Sequence, residues 1–346
     1  MKIECNKQEE IDEFSRWFKD DVEVSKNNLI SEEYNSLGDE TYLQLDYERL
    51  VIGINSISHI MENLEASFTD QPVTNNVTSV DTLVILKFIF EDNYGHCLHD
   101  YIPFLMYIDA HWQADAIVIS ETPILRSLLN LLDIKFNKIV CIKPLDCVEF
   151  KMKCINMFRF EVSKHRARRL SELVKKHIDT HITSSYAIED RNRLIYCTRN
   201  SSTDVLHGRL MNPDNEREII SILEEHAVDN DMRFTLFDGQ KDGVTMSHEE
   251  QLKLFRESQF VIGPHGSAVA NVIYMDSAIN PVVCEFCSGL DPIIHGVKPF
   301  VKNYNTLNSY ILDDIYDYYI IPFDKESTSD ITSINIANLK QLLSRL

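Results

Sequence analysis

Short apolar strands that alternate with helical patterns restrict the possible folds of this chain most strongly. In the first half, strand candidates lie at 83–90, 116–120 and 138–142, and a helical pattern that begins at Pro123 separates the last two. Proline is favoured at the first position of a helix. Strands separated by helices are typical of layered α/β domains with largely parallel sheets. We therefore predict an α/β fold.

The same alternation returns in the second half of the chain. The predicted elements are a strand at 194–198, a helix at 215–226, a strand at 233–237, a helix at 248–257, a strand at 260–263, a helix at 268–274 and a strand at 282–286. A polar stretch at 179–192 separates the two series and is the best candidate for a domain boundary. We predict an N-terminal domain over 1–178, a C-terminal domain over 179–325, and a terminal helix in 326–346 that packs back on the N-terminal domain.

Charge and hydropathy exclude several functional classes. The chain has 346 residues and a formal net charge of −20, which argues against a nucleic-acid binder because phosphate backbones attract cationic surfaces. No apolar run approaches about 18 residues, so we expect no membrane-spanning helix. The first residues are polar and lack a signal-peptide core. The eight cysteines follow no disulfide spacing, and we expect a cytoplasmic protein with reduced thiols.

A glycine-rich turn between a strand and a helix is the segment most informative about function. The strand at 260–263 runs into Gly263-Pro264-His265-Gly266-Ser267, and small residues follow. Glycine lets a backbone approach a ligand closely, and the first amides of a helix attract anions. The turn contains no lysine and matches neither a P-loop nor a G-x-G-x-x-G motif. It is either a cradle for a diphosphate or a tight turn with His265 as an ordinary loop residue.

Two charged residues lie at or near the ends of predicted strands, and we expect both at the same carboxyl edge of a sheet. Glu285 follows the glycine-rich turn, and the two together span about 25 residues, close to the spacing of a phosphate loop and a ribose-binding acid. Pairing with a basic neighbour is the alternative for Glu285. Arg199 ends the strand at 194–198, and its guanidinium could neutralise a leaving diphosphate.

A histidine and an aspartate lie one helical turn apart after the strongest strand candidate. His96 and Asp100 are four residues apart, so on a helix they share one face, whereas His99 points elsewhere. A carboxylate beside an imidazole fixes its tautomer and raises its basicity, as a general base requires. The alternative is a histidine whose hydrogen bonds are satisfied within a domain interface.

These residues resemble glycosyltransferase family 61 in three separated motifs, over about residues 83–290. The motifs are Asn93-x-x-His96-x-x-x-Asp100, then Tyr196-x-x-Arg199 with Arg209 and Asn215-Glu216, and finally Gly263–Ala268 with Asn271 and Glu285. The chain departs from the family at Cys97, where an aromatic residue often follows the motif histidine. We also expect no membrane anchor of the kind that the animal and plant members carry.

The resemblance implies a GT-B-type enzyme in which two Rossmann-like domains face each other across a cleft. It implies an inverting, metal-independent transferase that moves a sugar, with xylose or N-acetylglucosamine favoured, from a UDP-sugar to a glycan acceptor in polysaccharide or glycoprotein glycan synthesis. The catalytic residues it implies are His96, Asp100 and Asp92, with Glu91 as a further candidate base. The acceptor-binding residues it implies are Asn93 and Tyr94. The donor-binding residues it implies are Arg199, Arg209, Gly263, His265, Gly266, Ser267, Ala268, Asn271 and Glu285.

Two other functional classes stay open from the sequence. One is a nucleotide-sugar epimerase of similar fold, and the other is a non-catalytic protein that binds a nucleotide or glycan. The Asp229-Asn230-Asp231 segment has the form of a Mn²⁺-binding motif, but it precedes a strand, so we interpret it as a turn. The single C-x-x-C at 284–287 has no partner pair. We therefore expect no metal, and we leave the oligomeric state open.

Overall fold

The computed structural model describes residues 50–53, 77–88, 91–111, 114–143, 145–152, 154–160, 173–182, 191–200, 210–287, 316–324 and 331–346. The chain divides into two compact units, Met1–Leu170 and Ser171–Leu346. The sequence predicted a boundary after residue 178. Each unit contains a parallel sheet with helices in its connections, so the predicted α/β fold is confirmed.

The N-terminal unit contains two sheets. Its strands are β1 (Leu50–Gly53), β2 (Thr78–Ser79), β3 (Thr82–Phe88), β4 (Ala116–Ser120), β5 (Ile139–Ile142), β6 (Cys147–Lys151) and β7 (Cys154–Phe160). The larger sheet is fully parallel with the order β5-β4-β3-β7, and the smaller has the order β1-β6-β2. The interior positions of β3 and β4 are buried on both faces, as expected for a parallel sheet covered on two sides.

Helices connect the strands of the larger sheet. After β3 come α1 (Tyr94–His96), a π-helical turn (Cys97–Tyr101) and α2 (Ile102–His111), and α3 (Pro123–Leu131) follows β4. The hydroxyl of Thr122 accepts from the amide of Leu125 and caps α3, whose predicted start at Pro123 is confirmed.

The C-terminal unit is organised around a five-stranded parallel sheet. The strands of the whole C-terminal unit are β8 (Arg193–Cys197), β9 (Leu210–Met211), β10 (Arg233–Phe237), β11 (Gln240–Lys241), β12 (Val244–Thr245), β13 (Ser258–Pro264), β14 (Val282–Cys287), β15 (Asp317–Pro322) and β16 (Ile331–Thr332). Its helices are α4 (Pro213–Asp229), α5 (His248–Arg256) and α6 (Ile336–Leu343), with 3₁₀ turns at Val269–Tyr274 and Ser277–Ile279. The main sheet has the order β10-β8-β13-β14-β15.

Local sequence signals explain the starts of α4 and α5. Asn212 caps α4 by accepting from two amides, and Pro213 occupies the first helical position. Ser247 and Glu250 form the predicted capping box of α5, each accepting a hydrogen bond from the other's backbone amide. The predicted turn at Asp229–Asp231 is confirmed, because Asp231 has the left-handed backbone of a tight turn, with φ of 54°.

The terminal helix packs differently from the prediction. Leu339, Leu342 and Leu343 of α6 lie in the core of the C-terminal unit, with residues of α4 and the five-stranded sheet. The prediction that this segment packs back on the N-terminal domain is replaced by packing within its own unit. No helix in the described ranges is long and apolar enough to cross a membrane.

The strand order of the main C-terminal sheet marks a place where a ligand can bind. The chain leaves β8 for β10 on one side and then returns to β13, β14 and β15 on the other side. Where strand order reverses in this way, the connections diverge and leave a crevice at the carboxyl ends of the two central strands. The residues after β8 and β13 lie at this point. In the N-terminal unit, the equivalent reversal lies between β3 and β7.

Candidate functional site

Gly263 allows β13 to lie close against β8. A Cβ atom at Gly263 would lie 2.5 Å from the carbonyl oxygen of Cys197 and 2.8 Å from its Cβ atom. Gly263 itself is buried in the strand. The sequence predicted this glycine as a donor-binding residue, whereas the structure explains it by strand packing. The close approach nevertheless brings the loop after β13 next to the end of β8.

Arg199 extends from the end of β8 to the glycine-rich loop. Its Nη1 atom donates a hydrogen bond to the carbonyl oxygen of His265 over 2.7 Å. A Cβ atom at Gly266 would lie 2.9 Å from the same Nη1 atom, so the guanidinium packs directly against this glycine. The prediction that Arg199 and the glycine-rich turn meet at one carboxyl edge is therefore confirmed as a matter of geometry.

A buried carboxylate, that of Glu285, orients the imidazole ring of His265. Its Nδ1 atom lies 2.6 Å from Oε1 of Glu285, and the hydroxyl of Tyr318 donates to Oε2 of the same carboxylate. The side chain of Glu285 is 0% exposed, and that of His265 is 29% exposed. A donor hydrogen on Nδ1 leaves Nε2 as the ring nitrogen available to a ligand.

Glu285 does not fit the ribose-binding role predicted from its spacing. Its carboxylate has no exposed surface that a ribose hydroxyl could contact, and both oxygens accept hydrogen bonds from protein side chains. Within this site, Glu285 orients His265.

The rest of the loop combines exposed and buried positions. Ser267 is exposed and Ala268 is half-buried. Asn271 is buried, and its Nδ2 atom donates to Oε1 of Gln251 and to the carbonyl oxygen of Ala268 over 3.1 and 3.0 Å. Asn271 therefore stabilises the loop from within, although the sequence placed it among the donor-binding residues.

The helix predicted at 268–274 is a 3₁₀ helix, Val269–Tyr274. Its β-branched residues Val269, Val272 and Ile273 lower the preference of this segment for an α-helix. A six-residue 3₁₀ helix has little macrodipole, so the predicted anion attraction by a helix end is not supported. The groups of this loop that can donate hydrogen bonds to an anion are its own backbone N–H groups. Within the described residues, those of Gly266 and Ser267 have no hydrogen bond to a protein acceptor.

The middle motif occupies the start of α4. Asn215 exchanges two hydrogen bonds with the backbone of Ile334, which joins α4 to the end of the chain. Glu216 is buried and accepts hydrogen bonds from side chains at the end of β8. Nothing local in the sequence indicated the burial of Glu216. Arg209 lies outside the described residues.

His96 and Asp100 form a close pair in the N-terminal unit. His96 Nδ1 lies 2.6 Å from Asp100 Oδ2, and their side chains are 37% and 4% exposed. The prediction that they share one face is confirmed, and His99 is fully buried. Asn93 was predicted at the acceptor, but its side chain caps α1 by accepting from the amide of His96. The pair spans the junction of α1 with the π-helical turn, a form often found at functional sites.

The segment before this pair is tied to the sheet edge. The carbonyl oxygen of Glu91 accepts from the thiol of Cys97 and from the hydroxyl of Thr122. Burial, with the nearby charge of Asp92, raises the pKa of the Glu91 carboxyl. Burial also raises the pKa of the Cys97 thiol to about 12. Cys97, the position at which the chain departs from the family pattern, is therefore an unreactive packing residue. Asp92 is exposed and Tyr94 is half-buried.

A buried charged cluster lies beside the 3₁₀ helix that follows the loop. The fully buried guanidinium of Arg256 donates to Asp179 Oδ1 over 2.8 Å and to the carbonyl oxygen of Tyr274 over 3.2 Å. Lys175 and Ser277 also donate to Asp179. Burial alone would raise the pKa of Asp179, but these donors outweigh burial and lower it. Burial lowers the pKa of Lys175 to about 8. No local sequence pattern indicates this cluster, because its members come from separate segments of the chain.

The structure thus places an arginine and a glycine-rich loop at the edge of one parallel sheet, and a histidine–aspartate pair after a strand of the other. The Glycosyltransferase 61 family model matches residues 94–280, more than half of the chain. The protein therefore belongs to glycosyltransferase family 61. This family implies a nucleotide-sugar donor and a glycan acceptor.

Solved structures of E. coli glycosyltransferases are similar at low identity. The heptosyltransferase WaaC with ADP is 10% identical, covers 76% of this chain and 97% of its own, and gives a TM-score of 0.43. The iron-containing dodecameric glycosyltransferase TibC is 10% identical, with 61% of this chain covered and a TM-score of 0.36. The match spans 59% of the TibC chain. No curated protein matches this chain.

Proposed function

We propose that this protein is an inverting glycosyltransferase that uses a UDP-sugar as donor and a glycan hydroxyl as acceptor. The observation that carries the proposal is the junction of Arg199 with the loop of His265 and Gly266, at the strand-order reversal of the C-terminal sheet. Nucleotides bind at such reversals in doubly wound sheets. Xylose and N-acetylglucosamine are the favoured sugars, as the family resemblance implies.

The donor half of the proposal assigns charge stabilisation to fixed groups. When the bond between the sugar and the diphosphate breaks, negative charge develops on the leaving UDP. The guanidinium of Arg199 and the backbone N–H groups of Gly266 and Ser267 would donate to those oxygens. The imidazole of His265, held by Glu285 through Nδ1–H, would add a third donor in its doubly protonated form, in which Nε2 also carries a hydrogen. Donors held in place before the reaction stabilise developing charge without reorganisation, and they supply the role that a metal ion has in other transferases.

The acceptor half assigns the proton to His96. Asp100 accepts from Nδ1–H, which leaves Nε2 with a lone pair for the acceptor hydroxyl. The acceptor oxygen attacks the anomeric carbon from the side opposite the diphosphate, its proton moves to Nε2, and UDP leaves with the bonding electrons. A single displacement of this kind inverts the anomeric centre. Asp92 and Glu91 are the alternative bases, and both precede the pair on the same segment.

The test is UDP release from UDP-xylose and UDP-N-acetylglucosamine, with and without a panel of acceptor saccharides. Release that depends on an acceptor, with an inverted product by NMR, supports the proposal. A new UDP-sugar formed without acceptor would indicate an epimerase, and binding without release would indicate a non-catalytic protein. Replacing His96 by alanine should lower turnover about 10²–10⁴-fold. His111→Ala, in the same helical segment, serves as the matched control and should retain turnover.

A further inference from the structure

Glu216 has an unusual environment for an acidic residue in the first turn of a helix. Acidic residues there normally face solvent and complement the helix macrodipole. Glu216 is only 7% exposed. Its Oε1 atom accepts from the hydroxyl of Tyr196 over 3.1 Å and from the hydroxyl of Thr198 over 2.7 Å, and its Oε2 atom accepts from Nδ2 of Asn200. One carboxylate therefore binds three side chains at the carboxyl end of β8.

Arg199 lies between two of these three residues. Thr198 and Asn200 flank it in sequence, and the hydroxyl of Thr198 also accepts from the amide of Asn200 over 3.1 Å. The amide group of Asn200 is oriented by Met211, since its Oδ1 atom accepts from the Met211 amide and its Nδ2 atom donates to the Met211 carbonyl, each over 3.0 Å. The residues on both sides of Arg199 are thus held in place, which restricts the positions that its guanidinium can reach.

We propose that Glu216 is a positioning residue that holds Arg199 against the carbonyl of His265 and so keeps its guanidinium at the diphosphate site. The functional part of this inference rests on the proposed donor site. The positioning part rests on the hydrogen bonds of the carboxylate and on the 2.7 Å contact between Arg199 and the loop. Glu216 touches no substrate in this scheme and acts only through Arg199.

An isosteric amide at position 216 separates this role from simple packing. Glu216→Gln keeps the size of the side chain but replaces one acceptor oxygen by an NH₂ donor. If the NH₂ group faces Asn200, two donors oppose each other, because Met211 prevents the Asn200 amide from turning over. If it faces Tyr196 and Thr198, their hydroxyl hydrogens lose their acceptor. Either arrangement leaves buried donors without partners, which loosens the turn around Arg199.

The main experiment is a double-mutant cycle on the affinity for UDP, measured by calorimetry. We expect Glu216→Gln to weaken UDP binding about tenfold, and to have no further effect in a protein that already carries Arg199→Ala. Glu257→Gln is the matched control, since Glu257 pairs with Arg193 at the opposite end of β8. This control should bind UDP like the wild type. An equal loss from Glu216→Gln with and without Arg199 would overturn the proposal.

Hydrogen exchange distinguishes failure of the positioning role from failure of the donor site. In the absence of any ligand, Glu216→Gln should exchange faster than the wild type in peptides covering residues 264–271, whereas Glu257→Gln should not. Unchanged exchange in Glu216→Gln would overturn the positioning role even if UDP binds. If the wild type does not bind UDP but exchange still accelerates, the donor site is wrong and the positioning role stands. Thr198→Val, which removes one hydroxyl of the network, gives the same readout if Glu216→Gln does not fold.

Discussion

Gly263 in β13 and Gly266 in the loop that follows it should respond to alanine in different ways. At Gly263 the added methyl would meet the carbonyl oxygen and Cβ atom of Cys197 at 2.5 and 2.8 Å, well below the ordinary contact range of 3.4–4 Å. These atoms belong to the adjacent strand and cannot rotate away, so β8 and β13 must separate. At Gly266 the methyl would meet the far end of the Arg199 side chain at 2.9 Å, and that end can move. Gly263→Ala therefore strains the sheet, whereas Gly266→Ala displaces the guanidinium.

The expected sizes of the two effects follow from this difference. Overpacking of a core costs about 1–3 kcal/mol, and a cost of about 2 kcal/mol lowers the melting temperature of a domain this large by about 4–8 °C. We expect that shift in Gly263→Ala, measured by calorimetric melting. Gly266→Ala should melt within about 2 °C of the wild type. It should nevertheless bind UDP about tenfold more weakly, through loss of a charge-assisted contact. If Gly263→Ala melts like the wild type, the close packing of β8 and β13 is refuted. If Gly266→Ala binds UDP normally, Arg199 is not at the diphosphate.

Three further predictions concern other sites. Asp100→Asn should lower kcat about 10²–10⁴-fold, because Nδ1 of His96 loses the carboxylate that orients its ring. Unchanged UDP affinity, measured by calorimetry, would show that only the catalytic base is affected. Asp179→Asn should destabilise the protein by about 3 kcal/mol in urea at pH 7, because Lys175 and Arg256 lose the carboxylate to which both donate. Folding lowers the pKa of the Asp179 carboxyl, so the ionised carboxylate stabilises the folded protein above about pH 4. This stabilisation is lost as the pH falls through the pKa of Asp179 in the folded protein. Asp179→Asn should therefore lack this acid-dependent loss of stability. Burial raises the thiol pKa of Cys197 and Cys284, so iodoacetamide at pH 8 should label both only after denaturation, as read by mass spectrometry.

The positions of the secondary structure elements were largely predictable because their signals are local. The strand at 233–237 is confirmed to the residue, since turn-forming residues bound this short segment on both sides. The helix from Pro123 and the capping box of α5 are set by contacts over three or four residues. The order of the strands was not predictable in the same way. It depends on which distant segments pair, such as β14 with β15.

In the candidate site too, contacts between residues close in sequence could be predicted, and contacts between distant residues could not. The pairing of His96 with Asp100 could be predicted because both lie within one helical turn. The contact of His265 with Glu285 joins residues 20 apart, and a spacing argument gave Glu285 the wrong partner. Glu216 was missed because its burial follows from the packing of α4 on β8, and no nearby residue in the sequence indicates that packing.

A crystal structure of the protein with bound UDP tests the central claim most directly. The account predicts that the diphosphate oxygens lie within hydrogen-bonding distance of the Arg199 guanidinium and of the backbone N–H groups of Gly266 and Ser267, with Nε2 of His265 facing the same oxygens. A nucleotide bound away from the end of β13, or a diphosphate that does not contact Arg199, would contradict it.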